Sequence, residues 1–173
     1  MNHKVLITSV CLGLMVSASA LAGDKDAMIA SAESAGPPSV TANATIKSPD
    51  GTVLREGSSS YTCYPQQDWS GPMCNEAAWD GLISAVFNKQ EPKSDSFSVS
   101  YMLAGEGTAI GVSNTDPYAT DASRDDWVKE GPHLMIMVPD RAILKGMSTN
   151  PNDPVYVMWA DTPYAHIMVK ITE

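Results

Sequence analysis

The stretch that decides the fold is VYVMWADTPYAHIMVKI, residues 155–171. Two apolar segments, 155–160 and 164–171, flank Asp161-Thr162-Pro163, a tripeptide whose composition is typical of a turn. Runs rich in Val, Ile, Tyr and Trp on either side of such a turn predict two antiparallel strands. We therefore expect the C-terminal part of the chain to form a β-hairpin.

A three-residue turn in this hairpin determines which side chains share a face. Met158 then lies opposite His166, and Tyr156 lies opposite Met168. Because side chains alternate along a strand, His133 and Met135 also share one face of the apolar segment 133–138. We call the face that carries His133, Met135, Met158, His166 and Met168 the His/Met face. The opposite face is expected to be the hydrophobic core, and it carries Leu134, Ile136, Val138, Val155, Val157, Trp159, Ile167, Val169 and Ile171.

Strands are predicted on both sides of one clear helix. Residues 76–90 repeat apolar side chains at helical spacing, with Asn75 as the expected N-cap. Alternation and turn signals predict strands at 40–46, 52–55, 60–64 and 97–103. This order predicts an α+β fold with a mainly antiparallel sheet, one principal amphipathic helix and a C-terminal hairpin.

The N-terminus has the pattern of a secretory signal peptide. An apolar run, 5–16, follows Lys4, and Ala20-Leu21-Ala22 is a small-residue cleavage signature. The run is too short to span a bilayer. We therefore expect a signal peptide at 1–22, an N-terminal extension or short helix at 23–38, a single α+β domain at 39–173, and a periplasmic or secreted location.

The two cysteines outside the signal peptide, Cys63 and Cys74, are expected to form a disulfide. In an oxidising compartment an isolated pair is most simply bridged. Redox pairs usually have Cys-x-x-Cys spacing, and no histidine is near either cysteine in the sequence. A redox pair and a thiolate metal site are therefore the weaker alternatives.

The charge of the chain disfavours two classes of partner. Twenty acidic residues against eleven basic ones give a net charge of −9. Phosphate backbones and anionic lipid surfaces are repelled by such a protein. We expect no nucleic-acid partner and no membrane embedding, whereas a small ligand, a metal ion or an envelope protein remains open.

The His/Met face carries the only constellation suited to binding chemistry. Imidazole and thioether groups are soft donors, and in an exported protein they favour copper, especially Cu(I). Methionine is also a common filler of cores, and a buried histidine often only hydrogen-bonds a neighbour. The sequence therefore predicts a small binding protein, with copper as the candidate cofactor.

Two other classes of function remain open. A hydrolase-like enzyme could use His133 or His166 with Asp161 nearby, although no catalytic motif is present. A structural or interaction module of the cell envelope needs no site at all. Burial helps to separate them, because accessible His133 and His166 within metal-ligand reach favour binding, whereas two fully packed imidazoles favour a structural role.

Several segments resemble an uncharacterised family of bacterial exported proteins. They are GPHLMIMVPD at 131–140, YVMWADTPYAHIMV at 156–169, SNTDP at 113–117, and the Tyr61-Thr62-Cys63 and Pro72-Met73-Cys74 segments. The resemblance covers most of the chain after the signal peptide. It implies export and a single domain, and it carries no activity, substrate or catalytic residue.

Export should leave a protein that begins at Gly23. Signal peptidase is expected to cut after Ala22, because small residues occupy the positions that it reads. Mass spectrometry of the exported protein should give the mass of residues 23–173. An exported protein that retains Met1 would contradict this prediction.

Overall fold

The protein is described here from a computed structural model that covers residues 17–93 and 96–171. The helices are α1 (Ser17–Glu33), α2 (Pro38–Thr41) and α3 (Ala77–Phe87), with a 3₁₀ helix at Arg141–Leu144. The strands are β1 (Thr45–Lys47), β2 (Val53–Arg55), β3 (Tyr61–Tyr64), β4 (Met73–Glu76), β5 (Ser98–Met102), β6 (Val112–Ser113), β7 (Trp127–Val128), β8 (His133–Met137), β9 (Val155–Met158) and β10 (His166–Lys170).

Eight strands form one sheet in the order β2-β1-β3-β4-β5-β8-β10-β9. Every neighbouring pair is antiparallel except β1 with β3, which is parallel. Strands β6 and β7 form a separate two-stranded sheet. The prediction of an α+β fold with a mainly antiparallel sheet is therefore confirmed.

The predicted core face was wrong, because the His/Met face is the more deeply buried side of the sheet. Helix α3 covers this face, and Trp79 and Leu82 pack in one cluster with methionines of β8, β9 and β10. On the opposite face the ends of the sheet are covered by other elements, while Val155 and Ile171 are exposed. Both faces are apolar in sequence, so alternation could not indicate which one α3 would cover.

Two local predictions before the main helix also need correction. Residues 38–41 form helix α2 rather than the start of a strand, because Pro38 occupies its first turn, where a missing N–H costs nothing. Asn75 is not the N-cap of α3, which begins at Ala77. Its amide instead donates to Asp80 Oδ1 at 3.0 Å, and its oxygen accepts from Ser100 Oγ at 2.5 Å. Strand β4 thus leads directly into α3.

The N-terminal helix packs against the domain. Ala32, near the end of α1, is fully buried, and Glu33 forms an ion pair with Arg55 at 2.5 Å. The predicted cleavage site after Ala22 lies inside α1, while residues 1–16 of the predicted signal peptide lie outside the described residues. Among the described helices, none is long and apolar enough to cross a membrane.

Cys63 and Cys74 lie at disulfide distance on neighbouring strands. They are opposite each other on β3 and β4, their Cα atoms are 4.0 Å apart, and both are fully buried. Around them pack the ends of α1 and α2. A bond there joins β3 to the strand that leads into α3.

Removing this bridge should destabilise the protein by about 3 kcal/mol, because a small closed ring no longer restricts the unfolded chain. Urea unfolding of a Cys63→Ala, Cys74→Ala double variant should give a lower midpoint than the oxidised protein. Alanine is chosen because serine would bury an unpaired hydroxyl at both positions. Reduced wild-type protein is the control. A double variant that unfolds at the same midpoint as the oxidised wild-type protein would count against the bridge.

Candidate functional site

The candidate site is a cavity of about 480 Å³ between α3 and the His/Met face. All four tryptophans of the chain line it: Trp69, Trp79, Trp127 and Trp159. Five methionines line it as well: Met73, Met102, Met135, Met158 and Met168. Such an apolar wall with a few polar groups is the usual composition of a small-ligand site.

One side of the cavity meets solvent through apolar side chains. Trp69 is 40% exposed, Tyr118 is 41% exposed, and Phe87 and Ile110 are each 62% exposed. The rings of Trp69 and Phe87 contact edge to face, with centroids 5.1 Å apart. These four residues form a rim through which a ligand can enter.

All five predicted residues of the His/Met face line this cavity. Met158 lies opposite His166, and Met135 lies opposite Met168. Lys170, four residues after His166 on β10, lies opposite His133 on β8. At about 3.3 Å per residue, the two histidine backbones are about 13 Å apart along the strands. The histidines therefore occupy opposite ends of the face, with two methionines between them.

His166 is buried in an aromatic setting. Its ring contacts Trp79 and Trp159 edge to face, with centroid distances of 5.1 and 5.2 Å. Its Nδ1 atom lies 2.9 Å from the Tyr164 carbonyl oxygen. A carbonyl oxygen only accepts, so Nδ1 carries the proton and Nε2 carries the lone pair. That Nε2 atom is buried and has no hydrogen-bond partner among the described residues.

His133 repeats the same arrangement at the other end of the face. Its Nδ1 atom donates to the Gly131 carbonyl oxygen at 2.7 Å, and its buried Nε2 atom has no partner within the described ranges. His133 is 0% exposed and His166 is 1% exposed. Each imidazole therefore keeps a lone pair away from bulk water, on a residue that lines the cavity.

Burial keeps both imidazoles neutral. Desolvation lowers the pKa of His166 to about 4, and it also lowers the pKa of His133 below its ordinary value. A smaller contribution to the lowered pKa of His166 comes from the charge of His133. Near neutral pH both side chains can accept a hydrogen bond or donate a lone pair to a metal.

Acidic side chains supply charge at the same cavity. Glu130 accepts from the Tyr156 hydroxyl at 2.9 Å and lies 3.2 Å from Lys170 Nζ. Glu106 also lines the cavity, and burial raises the pKa of its carboxyl group. Its Oε2 atom accepts from the Gly71 backbone N–H at 3.3 Å. The cavity therefore has carboxyl groups as well as an apolar wall.

Met102 is a cavity residue that the sequence analysis missed. It lies on β5, directly opposite His133. The apolar residues at 97, 99, 101 and 103 alternate along this segment, but Ser98, Ser100 and Met102 are the buried ones. The sequence did hold one indication: Met102 shares a face of β5 with two small serines, which leave room under α3.

Other donor sets are not assembled in the described part of the chain. No group of three or more His, Cys, Asp or Glu side chains there could hold a metal ion. Neither described histidine is oriented by a carboxylate, because both Nδ1 atoms bond to backbone carbonyls. The pairing of Asp161 with His166 that a hydrolase would use is therefore not formed.

Comparisons with known protein families, with curated proteins and with solved structures found no match for this chain.

The free energy of unfolding should fall as the pH falls from about 6.5 to about 4, because His166 has a lower pKa in the folded protein than in the unfolded chain. The unfolded chain binds a proton in this range and the folded protein does not, so the free energy of unfolding should fall by about 3 kcal/mol. Urea unfolding of metal-free wild type and of His166→Phe at several pH values measures this slope.

The phenylalanine variant keeps a ring between the two tryptophans and should have a flatter pH dependence. Carboxyl groups that titrate in the same range affect both proteins alike, so the difference between the slopes isolates His166. Equal slopes would show that its protonation is not coupled to folding.

Proposed function

We propose that this protein is an exported binding protein for a soft metal ion, Cu(I), held at the His/Met face inside the cavity. One observation carries the proposal. Two buried histidines, which line the cavity together with several methionines, each donate through Nδ1 to a backbone carbonyl and leave Nε2 without a partner in the described part of the chain.

Both imidazoles are buried, which on exposure alone favours a structural role. Their orientation, however, supports a bound metal rather than simple packing. Histidines that bind metals usually donate their other ring N–H to a carbonyl or carboxylate, which determines the tautomer. A buried acceptor left unpaired costs on the order of 1–3 kcal/mol. Two such atoms at one cavity are costly to a purely structural protein, and a bound ligand would satisfy them.

The donor set favours Cu(I) over harder metals. Imidazole and thioether are soft ligands, whereas Ca²⁺ and Mg²⁺ require oxygen ligands. Glu106 also lines the cavity and, when ionised, would offset the charge of a cation. The flexible side chain of methionine can also turn its sulfur towards an ion without large backbone movement.

Export to the periplasm or the medium is part of this proposal. It is supported by the signal-peptide pattern of residues 1–22 and by two cysteines at disulfide distance. Thioether ligands suit such a compartment because, unlike thiols, they do not form disulfides.

A second candidate is an apolar organic ligand, and the size of the cavity favours it. A volume of about 480 Å³ lies within the range of small-molecule sites and exceeds what one ion occupies. The ligand would insert an apolar body between the tryptophans and donate hydrogen bonds to the histidine Nε2 atoms.

Titration with Cu(I) under reducing, oxygen-free conditions, in competition with a chromophoric chelator, tests the proposal. Wild-type protein should compete for the ion, and a His133→Ala, His166→Ala double variant should bind at least 100-fold more weakly because it lacks both imidazole ligands. Met147→Leu is the matched control, since Met147 packs in a separate cluster.

The double variant must be shown to be folded by circular dichroism before its affinity is compared. Wild-type protein that does not compete for Cu(I), but whose tryptophan fluorescence shifts with a neutral aromatic probe, would contradict the metal proposal and favour the second candidate. Binding that the folded double variant retains would place the metal elsewhere.

A further inference from the structure

We infer that the cavity holds two separate soft-metal sites rather than one shared site. The first consists of His166 with Met158 and Met168, and the second of His133 with Met102 and Met135. This inference rests on the proposed function and assigns its stoichiometry and its ligands.

The register of the sheet gives each histidine the same two kinds of neighbour. Met158 lies directly opposite His166 on β9, and Met168 follows His166 by two residues on the same face. Opposite pairs have Cβ atoms about 4.5–5.5 Å apart, and alternate residues of one strand are about 7 Å apart. Two thioethers are thus placed beside one imidazole.

The second group is built in the same way on the other side of the face. Met102 lies directly opposite His133 on β5, and Met135 follows His133 by two residues on β8. All three residues line the cavity. The same arrangement therefore occurs twice: a histidine, the methionine opposite it on the neighbouring strand, and the methionine two residues after it. Each group offers one nitrogen and two sulfurs.

One ion shared by both histidines does not fit this register. Their backbones are offset by about 13 Å along adjacent strands, and metal–nitrogen bonds are about 2.0–2.1 Å long. Met135 and Met168, which lie opposite each other, occupy the space between them. Each imidazole instead has its own thioethers at closer range.

The surroundings of the two sites differ in a way that can be measured. The His166 ring contacts Trp79 and Trp159, so an ion bound there should quench tryptophan fluorescence. No ring contact joins His133 to a tryptophan in the described part of the chain, and the nearby charge at that end comes from Glu130 and Lys170. An ion at His133 should therefore quench the fluorescence less than an ion at His166.

Titration of the exported protein with Ag(I), a redox-stable analogue of Cu(I), separates the two sites. Equilibrium dialysis with elemental analysis should give two equivalents per chain, of which one quenches tryptophan fluorescence more strongly than the other. Met158→Leu and Met102→Leu form a matched pair, because each removes the thioether opposite one histidine while nearly conserving volume.

Met158→Leu should weaken the strongly quenching equivalent at least tenfold and leave the weakly quenching one intact. Met102→Leu should do the reverse, and Met147→Leu should change neither. A single equivalent that is weakened by both variants would overturn the two-site inference and leave the proposed function standing. Two equivalents that neither variant weakens would also overturn it, whereas the absence of any Ag(I) or Cu(I) binding would reject the proposed function itself.

Discussion

The packing of Trp79 under the sheet is the interaction on which the rest of the structure depends. Its side chain is almost fully buried, its Nε1 atom donates to the Ser98 carbonyl oxygen at 3.1 Å, and its ring contacts His166. These contacts hold α3 against β5 and make the His/Met face the inner side of the sheet. Because the face is covered by aromatic rings and thioethers, each polar atom on it must be paired within the protein or with a ligand.

The junction between β4 and α3 explains how the helix reaches this position. Asn75 is fully buried, donates to Asp80 and accepts from Ser100, while Tyr64 donates to the second oxygen of Asp80 at 3.0 Å. These bonds join the first turn of α3 to three neighbouring strands. Desolvation raises the pKa of Asp80 although both side-chain hydrogen bonds oppose that shift. The direction in which the chain leaves β4 is thus determined by side chains from β3, β4 and β5 together.

The two histidines are neutral for the same reason that they are available as ligands. Burial disfavours their charged form, and the carbonyl groups of Tyr164 and Gly131 keep the proton on Nδ1. A histidine in the body of a core would normally use both ring nitrogens. Here the second nitrogen of each ring is buried without a partner among the described residues, and both histidines line a cavity with a rim of exposed apolar side chains. The cavity thus combines access for a ligand with a low local dielectric, which strengthens any interaction made inside.

The sequence by itself determined the α+β class, the mainly antiparallel sheet and the parity that puts His133, Met135, Met158, His166 and Met168 on one face. These features follow from local composition and from the two-residue period of a strand, which any window of the chain contains. Only the tertiary structure decided that this face is the inner one, that Met102 joins it, and that the histidines lie at opposite ends of neighbouring strands. Those outcomes depend on which face α3 covers and on how distant strands are ordered, and both are set by contacts between residues far apart in the chain. Alternation could not reveal them because apolar side chains occupy both faces of β8 and β10.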